Sequence, residues 1–307
     1  MNPTALLNAM PGAVSQGLIW GIMAIGVYLP YKILDVADLT VDGTMCTGGA
    51  TFIVATMAGC SIPVALLLAF IAGLLAGLVT GILHVACGIP AILAGILTQL
   101  ALYSVNLRIM GKSNQPINAN NYNLLVSSRN VKVLSFENPI FIVGLAVILL
   151  IALLYWFFGT ELGSSLRATG SNANMARAQG INTNFTTVLG LMLSNGLVAL
   201  SSALLAQYQG FADVSMGRGA IVIGLAAVII GDVIFGKIFR NFALKLLSVV
   251  LGAVIYYVVY QLVIGLGMSG DDMKLITSLI VAVFLTIPYW KSKYFSKPVK
   301  IGGDHNA

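Results

Sequence analysis

The chain has 307 residues, of which 58% are hydrophobic and only 8% are charged, and its mean hydropathy is +0.95. A soluble domain carries about 25% charged residues, so this composition excludes a water-exposed globular fold and favours helices that span a membrane. The formal net charge of +6 comes from scattered basic residues, which argues against nucleic-acid binding and favours excess positive charge on one side of the membrane.

Nine segments are apolar over a length that can cross a bilayer, for which roughly 20 residues are needed. In chain order they lie near residues 12–30, 39–58, 62–86, 89–109, 139–158, 185–206, 216–235, 243–265 and 274–290. The second segment is expected to be irregular, because acidic residues and several glycines interrupt it. These are Asp38, Asp42, Gly43, Gly48 and Gly49. The sequence therefore predicts an all-α polytopic membrane protein with about nine transmembrane helices.

The third segment carries Gly73, Gly77 and Gly81 at four-residue spacing. Small residues at this spacing allow the backbone of a neighbouring helix to approach closely. We expect a helix crossing within the chain here in preference to a dedicated dimer face.

Two connections are long enough to hold structure, one at about 110–137 and one at about 159–184. They lie on opposite sides of the membrane, since only the fifth predicted helix separates them. The densest basic cluster lies at 290–300, and the excess of Lys and Arg in cytosolic segments of membrane proteins places it in the cytosol. Counting back through nine helices makes 110–137 an external loop, 159–184 a cytosolic loop and the N-terminus external.

The sequence contains little evidence for a catalytic site. The sequence around Gly111, Lys112 and Ser113 resembles the end of a phosphate-binding loop, but Asn106 stands where that motif needs glycine. The two histidines lie far apart, and the three cysteines have neither metal-ligand nor disulfide-framework spacing. We therefore expect no catalytic residue, no metal site and no cofactor in this chain; ATP, if used, would be bound by a partner.

The second half of the cytosolic loop predicts a short helix. Ser171 or Asn172 can cap its first free N–H groups, and the residues from 173 to 179 are good helix formers. Gly180 supplies a left-handed stop at its end. The loop is thus expected to present a short rigid rod between two spanning helices.

This loop also carries a specific resemblance. The pattern Gly163-x3-Arg167-Ala-Thr-Gly170-x-Asn172-x2-Met175-Ala-Arg177-Ala-x-Gly180-Ile181-Asn182 resembles the cytosolic coupling loop of bacterial ABC import permeases. The branch concerned contains branched-chain amino acid and ribose permeases. More narrowly, residues 33–43, 93–99, 102–111, 206–213 and 221–232 resemble relatives proposed to import tryptophan or tyrosine. Together these stretches spread from about residue 17 to residue 290.

The resemblance implies that residues 1–307 form a single transmembrane permease domain in the bacterial inner membrane, with a cytosolic C-terminus. It implies an ABC ATPase subunit, an extracytoplasmic substrate-binding protein and a second copy of the chain as partners, within membrane lipid. In that family the short helix docks in a groove of the ATPase. By this resemblance the contact positions are Arg167, Gly170, Asn172, Met175, Ala176, Arg177 and Gly180.

The nearest resemblance implies import of an amino acid, and the narrower group implies an aromatic one; branched-chain amino acids, sugars and nucleosides stay open as substrates. Polar residues within the apolar segments are the candidates for the substrate pathway. They are Asp42, Thr44, Gln99, Asn195 and Ser202. Carboxylates near a spanning segment are costly and usually face a bundle interior or water. The alternatives are that the acids cap the second helix and that the amides and hydroxyls join helices by hydrogen bonds.

A second class of function remains open beside the importer. An ion-gradient-driven secondary transporter of a small solute would use a membrane carboxylate for coupling, and Asp42 is the main candidate. This class does not explain the glycine, arginine and asparagine pattern of the cytosolic loop. The sequence also shows no inverted repeat of the kind common in secondary transporters.

Overall fold

The computed structural model describes residues 3–117, 122, 124–132, 138–265, 275, 277–279, 281–284, 286 and 290. These residues form ten α-helices in chain order: α1 (Pro3–Tyr28), α2 (Val41–Met57), α3 (Ile62–Val85), α4 (Ala91–Met110), α5 (Pro139–Gly159), α6 (Glu161–Ser171), α7 (Ala173–Ala178), α8 (Thr183–Gln209), α9 (Ala220–Phe235) and α10 (Phe242–Gly265). A π-helical segment, Leu29–Leu34, continues α1, and a 3₁₀ turn spans Ser128–Lys132. Strand β1 (Asn114–Pro116) pairs antiparallel with β2 (Phe211–Asp213).

Eight of the nine predicted spanning segments are helices at the expected places. Six helical stretches are long and apolar enough to cross a membrane: Asn8–Leu34, α3, α4, α5, α8 and α10. The other two, α2 and α9, have 17 and 16 residues. Of the ninth segment, 274–290, the structure describes residues 275, 277–279, 281–284, 286 and 290, all of them helical. The predicted all-α polytopic architecture is therefore confirmed over the part of the chain that the structure describes.

Helices α1 and α8 form the centre of the bundle, whereas α3, α4 and α5 expose most of their side chains. Small residues on α3 allow α8 to approach closely. A Cβ added to Gly77 of α3 would lie 2.7 Å from the Cα of Met192, and one added to Gly81 would lie 3.1 Å from the Cα of Val188. The glycines of the third segment therefore serve a helix crossing within the chain, as expected.

The chain departs from helical geometry just ahead of α2 and not within it. Residues 35–40 are irregular, and Asp35 adopts a left-handed conformation with φ of 56°. From Val41 onward α2 is continuous. Its glycines serve close packing against neighbouring helices. A Cβ on Gly48 would lie 2.5 Å from the Cα of Ala199 on α8. The glycines thus do not interrupt the helix, which corrects that part of the expectation.

A second irregular segment, at 214–219, precedes α9 and was not expected from the sequence. The predicted helix began near residue 216, whereas α9 begins at Ala220. The segment lies against α2, since a Cβ on Gly217 would overlap the carbonyl of Asp42. Helix α9 therefore begins inside the bundle.

Helix α6 contacts α7, α8 and the π-helical segment at the end of α1. The two short helices therefore lie on the same side as the end of α1 and the start of α8, and we call this the coupling side. The β1–β2 pair lies on the other side, where the Gln115 amide reaches the Met57 sulfur at the end of α2, 3.0 Å away.

Candidate functional site

Residues 160–182, called here the coupling segment, consist of two short helices with a cap at each boundary. The Thr160 hydroxyl accepts a hydrogen bond from the N–H of Gly163 at the start of α6, at 3.4 Å. The Asn172 side chain accepts one from the N–H of Met175 at the start of α7, at 3.1 Å. Gly180 then ends α7 with φ of 81°. The short helix expected at 173–179 is present as α7.

Helix α6 was missed, although the sequence held a signal for it. Thr160 stands at the capping position and Glu161 in the first turn, where negative charge is favoured. The glycines at 163 and 170 masked this signal, because glycine weakens helix propensity. In the structure both glycines are packing positions: a Cβ on Gly163 would overlap the backbone at Phe158 of α5.

Gly170 joins α6 to the end of α1. A Cβ at this position would overlap the carbonyl of Ile33 and would lie 2.7 Å from the Cα of Leu34, both in the π-helical segment. Helix α6 is also held to α8, since the hydroxyls of Thr169 and Thr186 lie 2.8 Å apart. The coupling segment is therefore fixed between the end of α1 and the start of α8.

The predicted ATPase contacts divide into accessible and enclosed positions. Four of these positions are exposed: Asn172, Met175, Arg177 and Gly180. The exposed fraction of Met175 is 63%. Ala176 is only 4% exposed and faces the chain itself. A partner cannot reach the Ala176 side chain in this conformation, and Gly170 acts through its own neighbours. The docking role of the exposed positions stays a prediction.

The two predicted arginines are held by the chain. The Arg167 guanidinium donates to the carbonyl of Phe158 at 2.5 Å and lies 5.8 Å from the ring centroid of Phe242. The Arg177 Nε donates to the hydroxyl of Thr183 at 2.8 Å. Both side chains remain exposed beyond these bonds, so each presents its remaining N–H donors to the coupling side.

A buried polar cluster lies in the bundle, beginning just after the π-helical segment. Its members come from the 35–40 segment, α2, α3, α4 and α8: Asp38, Thr40, Thr44, Thr80, Thr98 and Asn195, all at most 4% exposed. We call it the Asp38 cluster. It contains a single carboxylate, and within the described residues no group of three His, Cys, Asp or Glu side chains is placed to bind a metal ion.

Asn195 is the centre of the Asp38 cluster. Its Nδ2 donates to the Asp38 carboxylate at 2.7 Å, and its Oδ1 accepts from the Thr44 hydroxyl at 2.7 Å. The other Asp38 oxygen accepts from the N–H of Thr40 at 2.9 Å. Two predicted pathway residues, Thr44 and Asn195, thus come into direct contact.

The threonines extend the cluster across two further helices. The hydroxyls of Thr40 and Thr80 are 2.7 Å apart, and that of Thr80 lies 2.9 Å from that of Thr98. Sequence reasoning missed Thr80 and Thr98, because a single threonine in an apolar helix commonly bonds to its own backbone. These hydrogen bonds join helices in this conformation, and a substrate-contacting role for the cluster stays a prediction.

Ser202 and Gln99 lie apart from the Asp38 cluster. The Ser202 hydroxyl donates to the carbonyl of Met45 and accepts from the N–H of Gly49 at 3.1 Å, so it joins α8 to α2. Gln99 is half-buried on α4, with its Cα 3.0 Å from the place that a Cβ on Gly43 would take. Within the described residues no hydrogen bond holds its side chain. Among the predicted pathway residues, Gln99 is therefore the one whose side-chain amide has no hydrogen-bond partner in the described part of the chain.

Asp42 caps a helix other than its own. Its carboxylate oxygens accept from the N–H groups of Gly219 and Ile221, each at 3.0 Å, at the start of α9. With 16 residues, α9 is about 24 Å long at 1.5 Å per residue, which is shorter than a hydrocarbon core of about 30 Å. Neither alternative drawn from the sequence anticipated this role, since the partner segment lies 177 residues away.

On the opposite side, the β1–β2 pair is held by side chains as well as by backbone. The pKa of the Asp213 carboxyl lies below its usual range. Partial burial alone would raise this pKa, but hydrogen bonds from Ser215 and Asn114 and the charge of Arg218 outweigh that effect. The Asn114 amide donates to Asp213 at 3.3 Å. The Asp213 carboxyl is thus stabilised in its negatively charged form.

Comparison with known proteins identifies the class to which this arrangement belongs. The family described as "Branched-chain amino acid transport system / permease component" matches residues 10–287. A tyrosine transport system permease protein of Clostridioides difficile (strain R20291) is 40% identical over 279 residues, which cover 91% of each chain. An uncharacterized protein of Rickettsia prowazekii (strain Madrid E) is 33% identical over 285 residues, covering 91% of this chain and 98% of that protein.

More distant similarities agree with these. The autoinducer 2 import system permease protein LsrC of Salmonella typhimurium (strain LT2) is 29% identical over 228 residues, covering 71% of this chain and 61% of LsrC. The structure of PsaBC from Streptococcus pneumoniae in complex with Fab shares the fold with a TM-score of 0.52 at 18% identity, covering 94% of both chains. The chain therefore belongs to the family of permease components of branched-chain amino acid transport systems, and it is a permease component of an ABC-type transporter.

Proposed function

We propose that this permease subunit forms, as a homodimer in the bacterial inner membrane, the substrate pathway of an importer driven by a separate ATPase. The observation that carries the proposal is the backbone contact between Gly170 of α6 and Ile33 of the π-helical segment. It joins the segment that resembles an ATPase-docking loop to the helix that leads into the bundle. No side chain intervenes that could absorb a movement.

The route from the coupling side to the bundle interior is short. Asp38 follows Leu34 by four positions and bonds to Asn195 on α8. Asn195 in turn accepts from Thr44 on α2. A displacement of α6 by an ATPase would therefore shift the π-helical segment and with it the Asp38 cluster, where four helices meet. Closure of the ATPase on ATP would in this way change which side of the pathway is open.

The proposed substrate is an amino acid, and tyrosine or another aromatic amino acid is the first choice. Support comes from the relative at 40% identity, whose name assigns it to tyrosine transport. An extracytoplasmic binding protein would deliver the substrate to the side that carries the β1–β2 pair. ATP would be bound by the ATPase subunit, and the C-terminus would lie in the cytosol.

The alternative of an ion-gradient-driven transporter gains no support from Asp42. Both of its carboxylate oxygens are engaged by backbone N–H groups of α9. A coupling carboxylate must release its partners when it takes up a proton or cation. We therefore prefer a structural role for Asp42.

Reconstitution into proteoliposomes with a partner ATPase and a partner binding protein tests the proposal. We expect uptake of labelled tyrosine that requires ATP and survives a protonophore. Arg177→Glu removes one charge-assisted contact at the proposed docking surface. It should therefore slow uptake by about ten- to a hundredfold. The matched charge reversal Lys112→Glu, exposed on the opposite side, should transport normally. ATP-independent uptake that the protonophore abolishes would instead establish the ion-driven alternative.

A further inference from the structure

A basic cavity of about 1070 Å³ lies on the coupling side, between the π-helical segment, the end of α5, α6 and the start of α10. Its wall contains four basic and several aromatic side chains: Lys32, Arg167, Arg240, Lys245, Tyr155, Trp156 and Phe242. No carboxylate is among the described residues that line it. The cavity is separate from the Asp38 cluster and from the exposed face of α7.

Its positive charge is only partly compensated. The Lys32 ammonium lies 3.2 Å from the Asp232 carboxylate, and both groups are about half exposed. Arg167 is committed in part to the Phe158 carbonyl. Arg240 and Lys245 are exposed and have no ion-pair partner within the described part of the chain. The cavity is therefore suited to an anion with several acceptor oxygens.

The mouth of the cavity meets the lipid-facing surface of α5. Leu145, Leu149, Leu153 and Trp156 follow one another at helical spacing along one face, and each is at least 60% exposed. Apolar side chains on this face contact acyl chains, whereas Trp and Tyr are enriched at the level of the headgroups. Trp156 ends the apolar face and also lines the cavity. An acyl chain lying along α5 would bring its headgroup to the basic residues.

We infer that this cavity binds the phosphate headgroup of an anionic phospholipid from the adjoining leaflet. Basic pockets between spanning helices favour such headgroups, and Arg and Lys pair with phosphate oxygens through charge-assisted hydrogen bonds. A free inorganic anion would use the same chemistry, but it would gain nothing from the apolar face of α5. The inference rests on this geometry alone and is independent of the transported substrate.

The test uses the full-length protein in nanodiscs. The substitutions Trp20→Phe and Trp290→Phe leave Trp156 as the single source of tryptophan fluorescence. A brominated lipid quenches tryptophan fluorescence on contact. At equal low mole fraction in phosphatidylcholine, brominated phosphatidylglycerol should quench Trp156 more than brominated phosphatidylcholine does. Each of Arg240→Gln and Lys245→Gln should weaken the phosphatidylglycerol preference by roughly fivefold. Lys237→Gln, an exposed position outside the cavity wall, should leave it unchanged.

Native mass spectrometry of the protein with its natural tryptophans provides a second measurement. It should show phosphatidylglycerol retained by Lys237→Gln and lost from the Arg240→Gln/Lys245→Gln double variant. Equal quenching by the two brominated lipids, or equal retention by all variants, would overturn the inference. Displacement of phosphatidylglycerol by millimolar inorganic phosphate would identify a free-anion site and would overturn the lipid assignment.

Discussion

Gly170 and Ile33 meet backbone to backbone, so closely that a single added methyl group at Gly170 would overlap the Ile33 carbonyl. The contact lies where the coupling segment meets the end of α1. Well-packed contacts of this kind transmit displacement because the interior of a protein has low compressibility. The pair therefore defines the point at which a movement outside the membrane would enter the bundle.

Gly170→Ala should force α6 away from the π-helical segment. Overpacking of this kind costs about 1–3 kcal/mol, so we expect a lower unfolding temperature and reduced tyrosine uptake in proteoliposomes. The ATPase should still bind, because the exposed residues of α7 are unchanged.

Gly144→Ala is the matched control, since a Cβ at this helical glycine of α5 would meet nothing within 4 Å. It should unfold at the same temperature as the unmodified protein or slightly higher, because alanine favours helix by about 0.5–1 kcal/mol. Identical behaviour of the two variants would contradict the packing role of Gly170.

Asn195→Leu should destabilise the bundle by removing the hydrogen bond that the Asn195 side chain donates to Asp38. Removing a hydrogen bond to a buried charged group costs about 1.5–3 kcal/mol, and the lost bond to Thr44 adds to this. Thermal unfolding of the purified protein measures the change. Ser201→Ala is the comparison on the same helix, since its buried hydroxyl donates only to the Ile19 carbonyl.

The double variant Asp38→Asn/Asn195→Leu separates the charge from the packing. If the buried carboxylate causes the penalty, the double variant should be more stable than Asn195→Leu alone. Additive losses would show that Asn195 acts through helix packing and not through Asp38.

The sequence predicted the helices well but not where the helical geometry breaks. Long apolar runs mark α3, α5 and α10 directly, since each is apolar over a full span. Gly48 was taken as an interruption of α2, yet it serves close contact with Ala199 of α8. Glycine allows either role. Only the neighbouring helix, 151 residues further along the chain, decides between them.

The candidate site was predictable to the extent that its signals were local. Asn172 and Gly180 bracket α7 within nine residues, so capping rules located that helix. The contact of Gly170 with Ile33 and that of Asp42 with Gly219 join residues far apart in the chain. Each depends on how helices pack, and no spacing in one sequence encodes it. Thr80 and Thr98 were missed for the same reason.

Asp42→Asn tests the long-range cap at the start of α9. The carboxylate satisfies the N–H groups of Gly219 and Ile221, while an asparagine offers a single acceptor oxygen to the pair. Loss of a helix cap costs about 0.5–2 kcal/mol, and negative charge at a helix N-terminus adds to the stabilisation that would be lost. Hydrogen–deuterium exchange should therefore become faster at residues 219–223, with α8 unchanged.

The same substitution at Asp35 provides the control. Asp35 is exposed and left-handed, a conformation that asparagine also tolerates, so Asp35→Asn should leave exchange in α9 as it is. Faster exchange in α9 for Asp42→Asn alone would establish that α9 begins inside the bundle on a carboxylate supplied by α2. Equal exchange in both variants would mean that the Gly219 and Ile221 amides are protected by packing. In that case the Asp42 carboxylate would be free to act in the pathway, as the sequence alone suggested.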